Sequence, residues 1–209
     1  DVEPAVRRDH GGVLDADPQV DGLHLATRWS GCSGGAASME VVVGLLRAGD
    51  VDAGRQAIGR LEMAFNWLLA DGSGSIAFQM SGLLPVRARP DSGLVPQPAW
   101  DPATAWQGFA TPEELPRDKD PECGFLVTAN NDLNHLGVMA PSTLPMGGSR
   151  AVRIAEVLAA NGSWTVQDSQ QLQVDVEAAH PRRYLELLRP LLRDGENERI
   201  LADWDCSYG

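Results

Sequence analysis

The sequence predicts a mixed protein of the α+β class, or a layered α/β arrangement, in which strands and helices occupy separate stretches. Apolar residues alternate with a period of two in the N-terminal part and again around a Gly-rich turn at residues 71–74. They recur at helical spacing in two segments between those strands, and once more beyond residue 149. No internal repeat is visible, so a regular strand–helix alternation is not expected.

The individual elements follow from periodicity and turn chemistry. The Asp-Gly-Ser-Gly turn at residues 71–74 supplies the positive φ values that a tight hairpin requires. Asp50 is a favourable N-cap for a helix that turns Val51, Ile58 and Leu61 inward. The predicted strands span residues 2–14, 22–30, 65–70, 75–81 and 124–128. The predicted helices span residues 36–48, 51–63 and 149–160. Helices are then predicted to continue to about residue 192, with a break or new start at Pro181.

A proline-rich stretch separates the hairpin from the last predicted strand. Residues 84–121 contain more than half of the chain's 14 prolines together with Trp100 and Trp106. Proline disfavours regular structure and tryptophan provides packing anchors, so we expect an ordered but irregular excursion. The apolar strand over residues 124–128 follows, and it ends at the polar run of residues 129–132. Polar side chains at a strand end are well placed for chemistry.

Composition and charge exclude several functions. Lys and Arg total 17 against 29 Asp and Glu, so the formal charge of −12 would repel a phosphate backbone, and no nucleic acid is expected as a partner. The longest apolar run, residues 39–46, is far shorter than the roughly 20 residues that cross a bilayer, so no membrane span is expected. Residues 1–4 show no signal-peptide pattern. Cys32, Cys123 and Cys206 have spacings that argue against a disulfide framework and a structural zinc site.

One short motif matches a nucleophile pattern. Residues 31–35 read Gly-Cys-Ser-Gly-Gly, which fits the G-x-S-x-G turn and places Ser33 between a predicted strand and a predicted helix. An α/β-hydrolase has several strands before that turn, whereas about two precede it here, which favours a flexible Gly/Ser turn. The four histidines show no spacing typical of a metal-binding pair, and the acids at residues 15, 17 and 21 lack the glycine and glutamate of a calcium loop.

Two neighbouring segments carry the most specific pattern in the chain. Residues 66–76 read NWLLADGSGSI, and residues 81–87 read SGLLPVR. Together they resemble the N-W-x-x-A-D-x-x-G-x-I hairpin and the following S-G-x-x-P-x-R of the penicillin acylase (penicillin amidase) family. The resemblance continues in order and spacing over nearly the whole chain. The further matching segments are residues 106–109 (WQGF), 112–116 (PEELP), 124–131 (GFLVTANN), 150–154 (RAVRI), 164–168 (WTVQD) and 173–176 (QVDV).

The resemblance implies a fold and a place within a larger enzyme. It implies a section of the αββα sandwich of an N-terminal nucleophile (Ntn) hydrolase, with flanking helices. The chain is expected to be an internal segment of the large (β) chain. Residues 1–131 would contribute the strands, the helix pair, the hairpin and the Pro-rich excursion of the core, and residues 132–209 a mainly helical part. The implied partners are the remaining parts of the same precursor, namely the small chain and the rest of the large chain.

The resemblance also implies an activity. In that family a precursor cuts itself to expose a serine whose own α-amino group acts as the base for attack on an amide. An N-terminal amine can do this because its pKa lies near neutrality, at about 7.7 to 8.0. Asp1 cannot be that nucleophile, and Ser33 has no free amine beside it, so this chain alone is expected to be inactive. The implied substrates are small-molecule N-acyl amides such as penicillin or cephalosporin side chains, acyl-homoserine lactones or lipopeptides.

Four residues match functional positions of the family. Asn130 matches the asparagine whose side-chain amide helps to bind the tetrahedral oxyanion. Arg150 matches an arginine that orients the polar groups of that site. Phe65 and Val42 fall where acyl-pocket residues lie in relatives, although core packing explains both almost as well. We therefore expect Asn130 and Arg150 to serve catalysis, and Phe65 and Val42 to bind substrate.

Cofactors and location are implied by the resemblance alone. No cofactor is required for the expected chemistry. The resemblance also implies calcium binding, with a carbonyl ligand near Ser92 in this sequence. Most of the family's acidic ligands have no match here, so the presence of a structural calcium ion is left open. Because family members are typically exported, a periplasmic or secreted location is implied.

Two functions of other classes remain as alternatives. The segment would be a non-catalytic scaffold or binding module related to acylases if it folds by itself, with or without a partner. It would be an independent serine hydrolase if a fluorophosphonate probe labels it and the labelling disappears in Ser33→Ala. We expect no such labelling.

Overall fold

The computed structural model describes residues 8–9, 12–14, 26–33, 35–88, 95–98, 100–138 and 146–208. The chain divides into two compact units. The first comprises Asp1–Asp120 with Leu133–Leu144, and the second comprises Pro121–Asp132 with Pro145–Gly209. All named strands belong to the first unit, which also holds two α-helices, whereas the described regular elements of the second unit are helices. This mixture of sheet and helix confirms the predicted α+β class.

The first unit contains eight short strands within its described residues. They form the sheets β1-β2-β3, β4-β5-β8 and β6-β7, and each recorded pair is antiparallel. The strands are β1 (Arg8–Asp9), β2 (Gly12–Leu14), β3 (Ala26–Thr27), β4 (Asn66–Ala70), β5 (Ile76–Met80), β6 (Pro85–Arg87), β7 (Trp106–Phe109) and β8 (Arg117–Lys119). The helices are α1 (Ala36–Leu45) and α2 (Val51–Ile58), with 3-10 turns at Ser30–Ser33, Pro102–Thr104 and Asn134–Leu136.

The hairpin of β4 and β5 is the structural centre of the first unit. The two strands pair from Asn66 opposite Met80 to Ala70 opposite Ile76, as predicted from the turn between them. The Oδ1 atom of Asp71 closes that turn by accepting hydrogen bonds from the backbone (2.8 Å) and hydroxyl (2.5 Å) of Ser73. Its Oδ2 atom accepts from the backbone N–H of Val51 at 3.2 Å, which ties the start of α2 to the hairpin.

These hydrogen bonds make the hairpin sensitive to acid. The Ser73 hydroxyl, followed by the Val51 N–H, lowers the pKa of Asp71 from 3.8 to about 2. The ionised carboxylate therefore stabilises the folded state fully above the ordinary pKa of 3.8, and this contribution is lost as the pH falls towards 2. We expect Ser73→Ala to move the pKa of Asp71 back towards 3.8, measured by carboxyl-carbon NMR titration. An unchanged Asp71 titration in Ser73→Ala would contradict this assignment.

Helix α2 packs on one face of the hairpin. Asp50 caps it by accepting a hydrogen bond from Ala53 N at 2.8 Å, as the sequence predicts. Gly54 permits close approach, because a Cβ atom at this position would lie 2.5 Å from Leu69 Cδ2. The helix ends at Ile58, earlier than the predicted residue 63, since the chain turns at residues 59–60. The three residues predicted to face inward are nonetheless buried, and these are Val51, Ile58 and Leu61.

Helix α1 has the predicted start but lacks a buried apolar face. Met39 and Val43 of the helix and its C-cap residue Leu46 are 65%, 55% and 87% exposed, and the buried residue of the helix is Ser38. Glu62 binds the N-terminal end of the helix by accepting hydrogen bonds from Gly35 N at 2.5 Å and from Ser38 Oγ at 3.1 Å. Polar contacts therefore hold α1 in the first unit. The helical spacing of its apolar residues predicted the helix correctly, but these residues are not buried in the structure.

Ser81 is a buried hydroxyl at the base of the hairpin. Its side chain donates to the Met63 carbonyl at 2.6 Å and accepts from the Trp67 indole at 3.0 Å and from Phe65 N at 3.3 Å. Because Ser81 is 0% exposed, water cannot replace these contacts. The hydroxyl thus ties the segment that enters β4 to the end of the hairpin.

We expect Ser81→Ala to lower the free energy of unfolding by about 1–3 kcal/mol, because the Trp67 indole N–H and the Met63 carbonyl lose their common partner. Urea denaturation followed by tryptophan fluorescence measures the change. Ser163→Ala is the matched control, since Ser163 is exposed and its recorded hydrogen bond is made by the backbone N–H. Equal stability of the two variants would contradict the role given to Ser81.

The proline-rich stretch is more regular than predicted. Strands β6 and β7 pair with each other, and β8 extends the hairpin sheet by pairing with β5. Trp106, the first residue of β7, lies under the guanidinium of Arg28, whose Cζ atom is 4.1 Å from the ring centroid. Proline is tolerated at the first residue of a strand and on edge strands, so the high proline content did not prevent this stretch from forming paired strands.

The predicted strand over residues 124–128 is wrong. These residues have no strand structure, and Gly124 has a positive φ of 78°. They belong to the second unit, whose described regular elements are helices, so no described strand offers them a ladder partner. An apolar run specifies burial, but a strand also needs a neighbouring backbone edge.

The second unit contains four α-helices within its described residues. Helix α3 has the predicted bounds, and Thr165 with Asp168 forms the predicted capping box at the start of α4. Pro181 lies in the first turn of α5, where a missing backbone N–H is tolerated. The helices are α3 (Ser149–Ala160), α4 (Val166–Gln173), α5 (Ala179–Leu188) and α6 (Glu196–Asp203).

Three sequence predictions fall partly or wholly on residues that the structure does not describe. Of the predicted strand over residues 22–30, Ala26–Thr27 is observed as β3. Residues 15–21, which join the first two predicted strands, lie outside the described residues, as does the position near Ser92 at which a calcium ligand is implied.

Candidate functional site

A strained loop presents Asn130 at the surface of the second unit. Asn130 has a φ of 62°, in the left-handed region that asparagine tolerates better than most residues. Asn131 supports the turn by accepting a hydrogen bond from Ala129 N at 2.9 Å, and the Asn130 carbonyl accepts from Met146 N at 2.7 Å. The backbone of the loop is thus held on both sides while the Asn130 side chain remains exposed.

Arg150 contacts this loop from the first turn of α3. Its Nη2 atom donates to Asn130 Oδ1 at 2.8 Å and to the Ala129 carbonyl at 2.9 Å. A positive side chain is disfavoured at a helix N-terminus, where the partial charge of the helix is also positive. The two hydrogen bonds to the loop offset that cost. The structure therefore brings together the two residues predicted to serve catalysis.

The contact with Arg150 fixes the orientation of the Asn130 amide. A guanidinium group only donates hydrogen bonds, so the atom that faces it must be the amide oxygen. The Nδ2 atom consequently points away from Arg150, and no described residue accepts a hydrogen bond from it. The exposed Asn130 side chain thus presents an oriented N–H donor.

An ion-pair cluster follows Arg150 by one helical turn. The Nε and Nη2 atoms of Arg153 contact the two carboxylate oxygens of Asp175 at 3.2 and 2.6 Å. Nη2 also lies 2.8 Å from Glu177 Oε2, and Arg182 on α5 contacts both Glu177 and Glu156. The hydrogen bonds that Arg153 donates to Asp175 raise the pKa of Arg153 above its ordinary value. Sequence reasoning did not identify this cluster, although Arg153 and Asp175 lie in two of the family-like motifs.

A cavity of about 400 Å³ lies beside Arg150 in the second unit. Ile154, Leu172 and Val176 give it apolar walls, and Arg150 and His180 add polar groups. Such a mixed lining suits a small organic molecule.

The two residues predicted to bind substrate lie in the first unit. Phe65, which precedes β4, is 54% exposed and packs edge-to-face against Trp67 with 6.0 Å between ring centroids. Val42 on α1 is 40% exposed. Both side chains are therefore more accessible than core packing would require, and their assignment to substrate stays a prediction.

The Ser33 motif has a different backbone from the strand–turn–helix of a nucleophile elbow. Ser33 ends a 3-10 turn directly before α1, and the described strands that precede it are antiparallel and two or three residues long. The Ser33 side chain lies outside the described part of the structure. These features do not favour an α/β-hydrolase nucleophile.

The described residues show neither a metal-type cluster of side chains nor a helix that could cross a membrane. No group of three or more His, Cys, Asp or Glu side chains comes together there as a metal site would require. The implied structural calcium ion stays a prediction, because the position near Ser92 lies outside the described residues. Cys123 and Cys206 carry free thiols. None of the helices in the described ranges is long and apolar enough to cross a membrane.

The fold and the sequence together define the class of protein. The structure is similar to a thermostable penicillin G acylase from Alcaligenes faecalis, with a TM-score of 0.74 and 20% identity over 97% of this chain and 38% of that one. This similarity shows the fold of an Ntn hydrolase. The family model for penicillin amidase matches residues 2–209. The chain therefore belongs to the penicillin amidase family.

Curated relatives agree with this family. An acyl-homoserine lactone acylase of Pseudomonas syringae pv. syringae is 32% identical over 170 residues, which are 79% of this chain and 20% of the relative. The penicillin acylase 2 proenzyme of a Pseudomonas species is 32% identical over 148 residues, 67% of this chain and 19% of the relative. The chain thus spans about a fifth of the length of the curated relatives that it matches.

Proposed function

We propose that the whole protein containing this chain is an amidohydrolase that cleaves N-acyl amides by an N-terminal nucleophile mechanism. In this proposal the chain supplies Asn130 to the oxyanion site, while the nucleophilic serine lies outside the chain and is exposed when the precursor cuts itself. One observation carries the proposal: Arg150 binds Asn130 Oδ1 at 2.8 Å and so turns Nδ2 outward. Family membership supports amide hydrolysis as the reaction class.

Attack of a serine hydroxyl on an amide carbonyl moves negative charge to the carbonyl oxygen. A donor that is oriented beforehand stabilises this charge without reorganising during the reaction. Asn130 Nδ2 is such a donor in the proposed mechanism, because Arg150 and the Asn131-supported turn hold its amide. The Arg150 charge also polarises the amide through Oδ1, which strengthens the outward N–H as a donor.

The proposed substrates share an N-acyl amide bond. The names of the relatives cover acyl-homoserine lactones and penicillins, and both compounds carry an acyl group on nitrogen. In the proposal the exposed side chains of Phe65 and Val42 contact the acyl group, because both are apolar and accessible. Penicillin or cephalosporin side chains, acyl-homoserine lactones and lipopeptides are the candidates.

The proposed partners are the remaining parts of the same precursor, the small chain and the rest of the large chain. Helix α1 supports this part of the proposal, because Met39, Val43 and Leu46 expose apolar surface that a neighbouring segment can cover. In the proposal this chain contributes the segments 1–131 and 132–209 to the large chain. A periplasmic or secreted location is also proposed, from the resemblance alone.

The test is an activity assay on the whole protein with three substrates: an acyl-homoserine lactone, an arylacetyl penicillin and a lipopeptide. Mass spectrometry follows the free acid and the free amine, and N-terminal sequencing shows whether a serine begins the large chain. We expect equimolar acid and amine from at least one substrate, and no release when that serine is replaced by alanine. A processed protein that hydrolyses none of the three would overturn the proposal.

A further inference from the structure

The contact between Arg150 and Asn130 depends on how α3 is rotated. Arg150 is a long, exposed side chain, and its hydrogen bonds to Asn130 and Ala129 are themselves exposed. An arginine side chain loses much conformational freedom when it is held in one geometry. A rotation of α3 about its axis would displace the Arg150 guanidinium from the loop, because side chains extend outwards from the helix axis.

The ion-pair cluster around Arg153 restrains α3 against such a rotation. Arg153 follows Arg150 by three residues, so the two side chains lie on neighbouring positions of the helix surface. Arg153 donates two hydrogen bonds to Asp175 and also contacts Glu177. Asp175 is itself held, because its Oδ1 atom accepts a hydrogen bond from Glu177 N at 3.0 Å. A fork-shaped contact of this kind restrains direction as well as distance.

Charge leads to the same conclusion. Two arginines three residues apart repel each other on a helix. Asp175 and Glu177 place two negative charges beside Arg153, and these compensate for the neighbouring positive charge of Arg150. Arg153 and Asp175 have side chains only 24% and 20% exposed, so solvent screens their attraction less than that of a fully exposed pair. All four side chains line the cavity beside α3.

We propose that Arg153 and Asp175 are positioning residues whose ion pair fixes the first turn of α3 and so holds Arg150 on the Asn130 amide. This inference rests on the proposed oxyanion role of Asn130. It also gives a function to the second arginine of the RAVRI segment, Arg153, and to the aspartate of the QVDV segment, Asp175, which are 22 residues apart in sequence.

The experiment is a double-mutant cycle in the whole processed enzyme, on a substrate that it hydrolyses. Arg153→Met and Asp175→Asn are made in the parent and in the Arg150→Met background, and kcat and KM are measured separately. In the parent we expect each substitution to lower kcat about tenfold with KM within about twofold. In the Arg150→Met background we expect each to change kcat by less than about twofold, because the group being positioned is already absent.

A role that is only structural predicts a different pattern, because general loosening would lower kcat by a similar factor in both backgrounds. Such equal losses, or no loss in the parent, would overturn the inference. Arg153→Lys is the second variant if Arg153→Met does not fold, since it keeps the charge and loses the fork. Arg182→Met is the matched control, because Arg182 contacts Glu177 and Glu156 from α5 without touching Asp175.

We expect Arg182→Met to keep kcat within about twofold of the parent, whereas a loss equal to that of Arg153→Met would overturn the inference. The proposed function is tested separately by Asn130→Ala. Parental turnover in Asn130→Ala would reject the oxyanion role itself. Loss of turnover in Asn130→Ala together with parental turnover in Arg153→Met would reject the positioning role alone.

Discussion

Replacing Asn130 with alanine is expected to lower the kcat of the whole enzyme about 10²- to 10³-fold on an N-acyl amide, a loss of roughly 3–4 kcal/mol of transition-state stabilisation. The substituted side chain lacks the Nδ2 donor that Arg150 turns outward. Because the oxyanion exists in the transition state and not in the bound substrate, KM should change only slightly. Steady-state kinetics on the substrate identified for the parent enzyme measures both constants.

Asn161→Ala is the matched control for this prediction. Asn161 is the C-cap residue at the opposite end of α3, and its side chain accepts a hydrogen bond from Ser163 N at 3.1 Å. We expect it to keep the kcat of the parent. A loss that appears in KM, or an equal loss of kcat in both variants, would contradict the role assigned to Asn130.

Phe78→Ala is expected to lower the free energy of unfolding of the first unit by about 3–5 kcal/mol. Phe78 lies in the middle of β5, the central strand of its sheet, and is 2% exposed. Alanine removes the ring and leaves a cavity that the paired neighbouring strands β4 and β8 prevent from collapsing. Urea denaturation of the chain, followed by tryptophan fluorescence, measures the change.

Leu68→Ala provides the matched control in the same sheet. Leu68 lies directly opposite Phe78 on β4, but it is 51% exposed. Leu68→Ala is expected to lower the free energy of unfolding by about 1 kcal/mol or less, because much of the Leu68 side chain is already exposed to solvent. If Phe78→Ala costs no more than Leu68→Ala, then β5 does not form the core of the first unit as described.

Local chemistry made some elements predictable from sequence. The hairpin was predicted because the Asp71 turn lies between two β-prone runs, and the start of α4 because Thr165 and Asp168 form a capping box. The strand predicted over residues 124–128 was wrong, because a strand also requires a partner that local sequence does not specify. The spacing of apolar residues in α1 likewise predicted a helix without showing what would cover its exposed side chains.

The candidate site was predictable only through family resemblance. Asn130 and Arg150 were chosen from matching motifs, and their 2.8 Å contact depends on a loop with positive φ that no periodicity reveals. The pairing of Arg153 with Asp175 was not predicted, because charges 22 residues apart meet only after α3 packs against later segments. A charged residue in a family-like motif can thus be expected to have a role, but only the tertiary structure shows which residue it pairs with.

A crystal structure of the whole enzyme with a phosphonate or boronate mimic of the tetrahedral intermediate would show whether Asn130 Nδ2 binds the oxyanion. The measured quantity is the distance from Asn130 Nδ2 to the oxygen that represents the oxyanion. We predict about 2.7–3.1 Å, with Asn130 Oδ1 still bound by Arg150. An Nδ2 atom beyond about 4 Å from that oxygen, or turned towards another protein acceptor, would contradict the proposed role of Asn130.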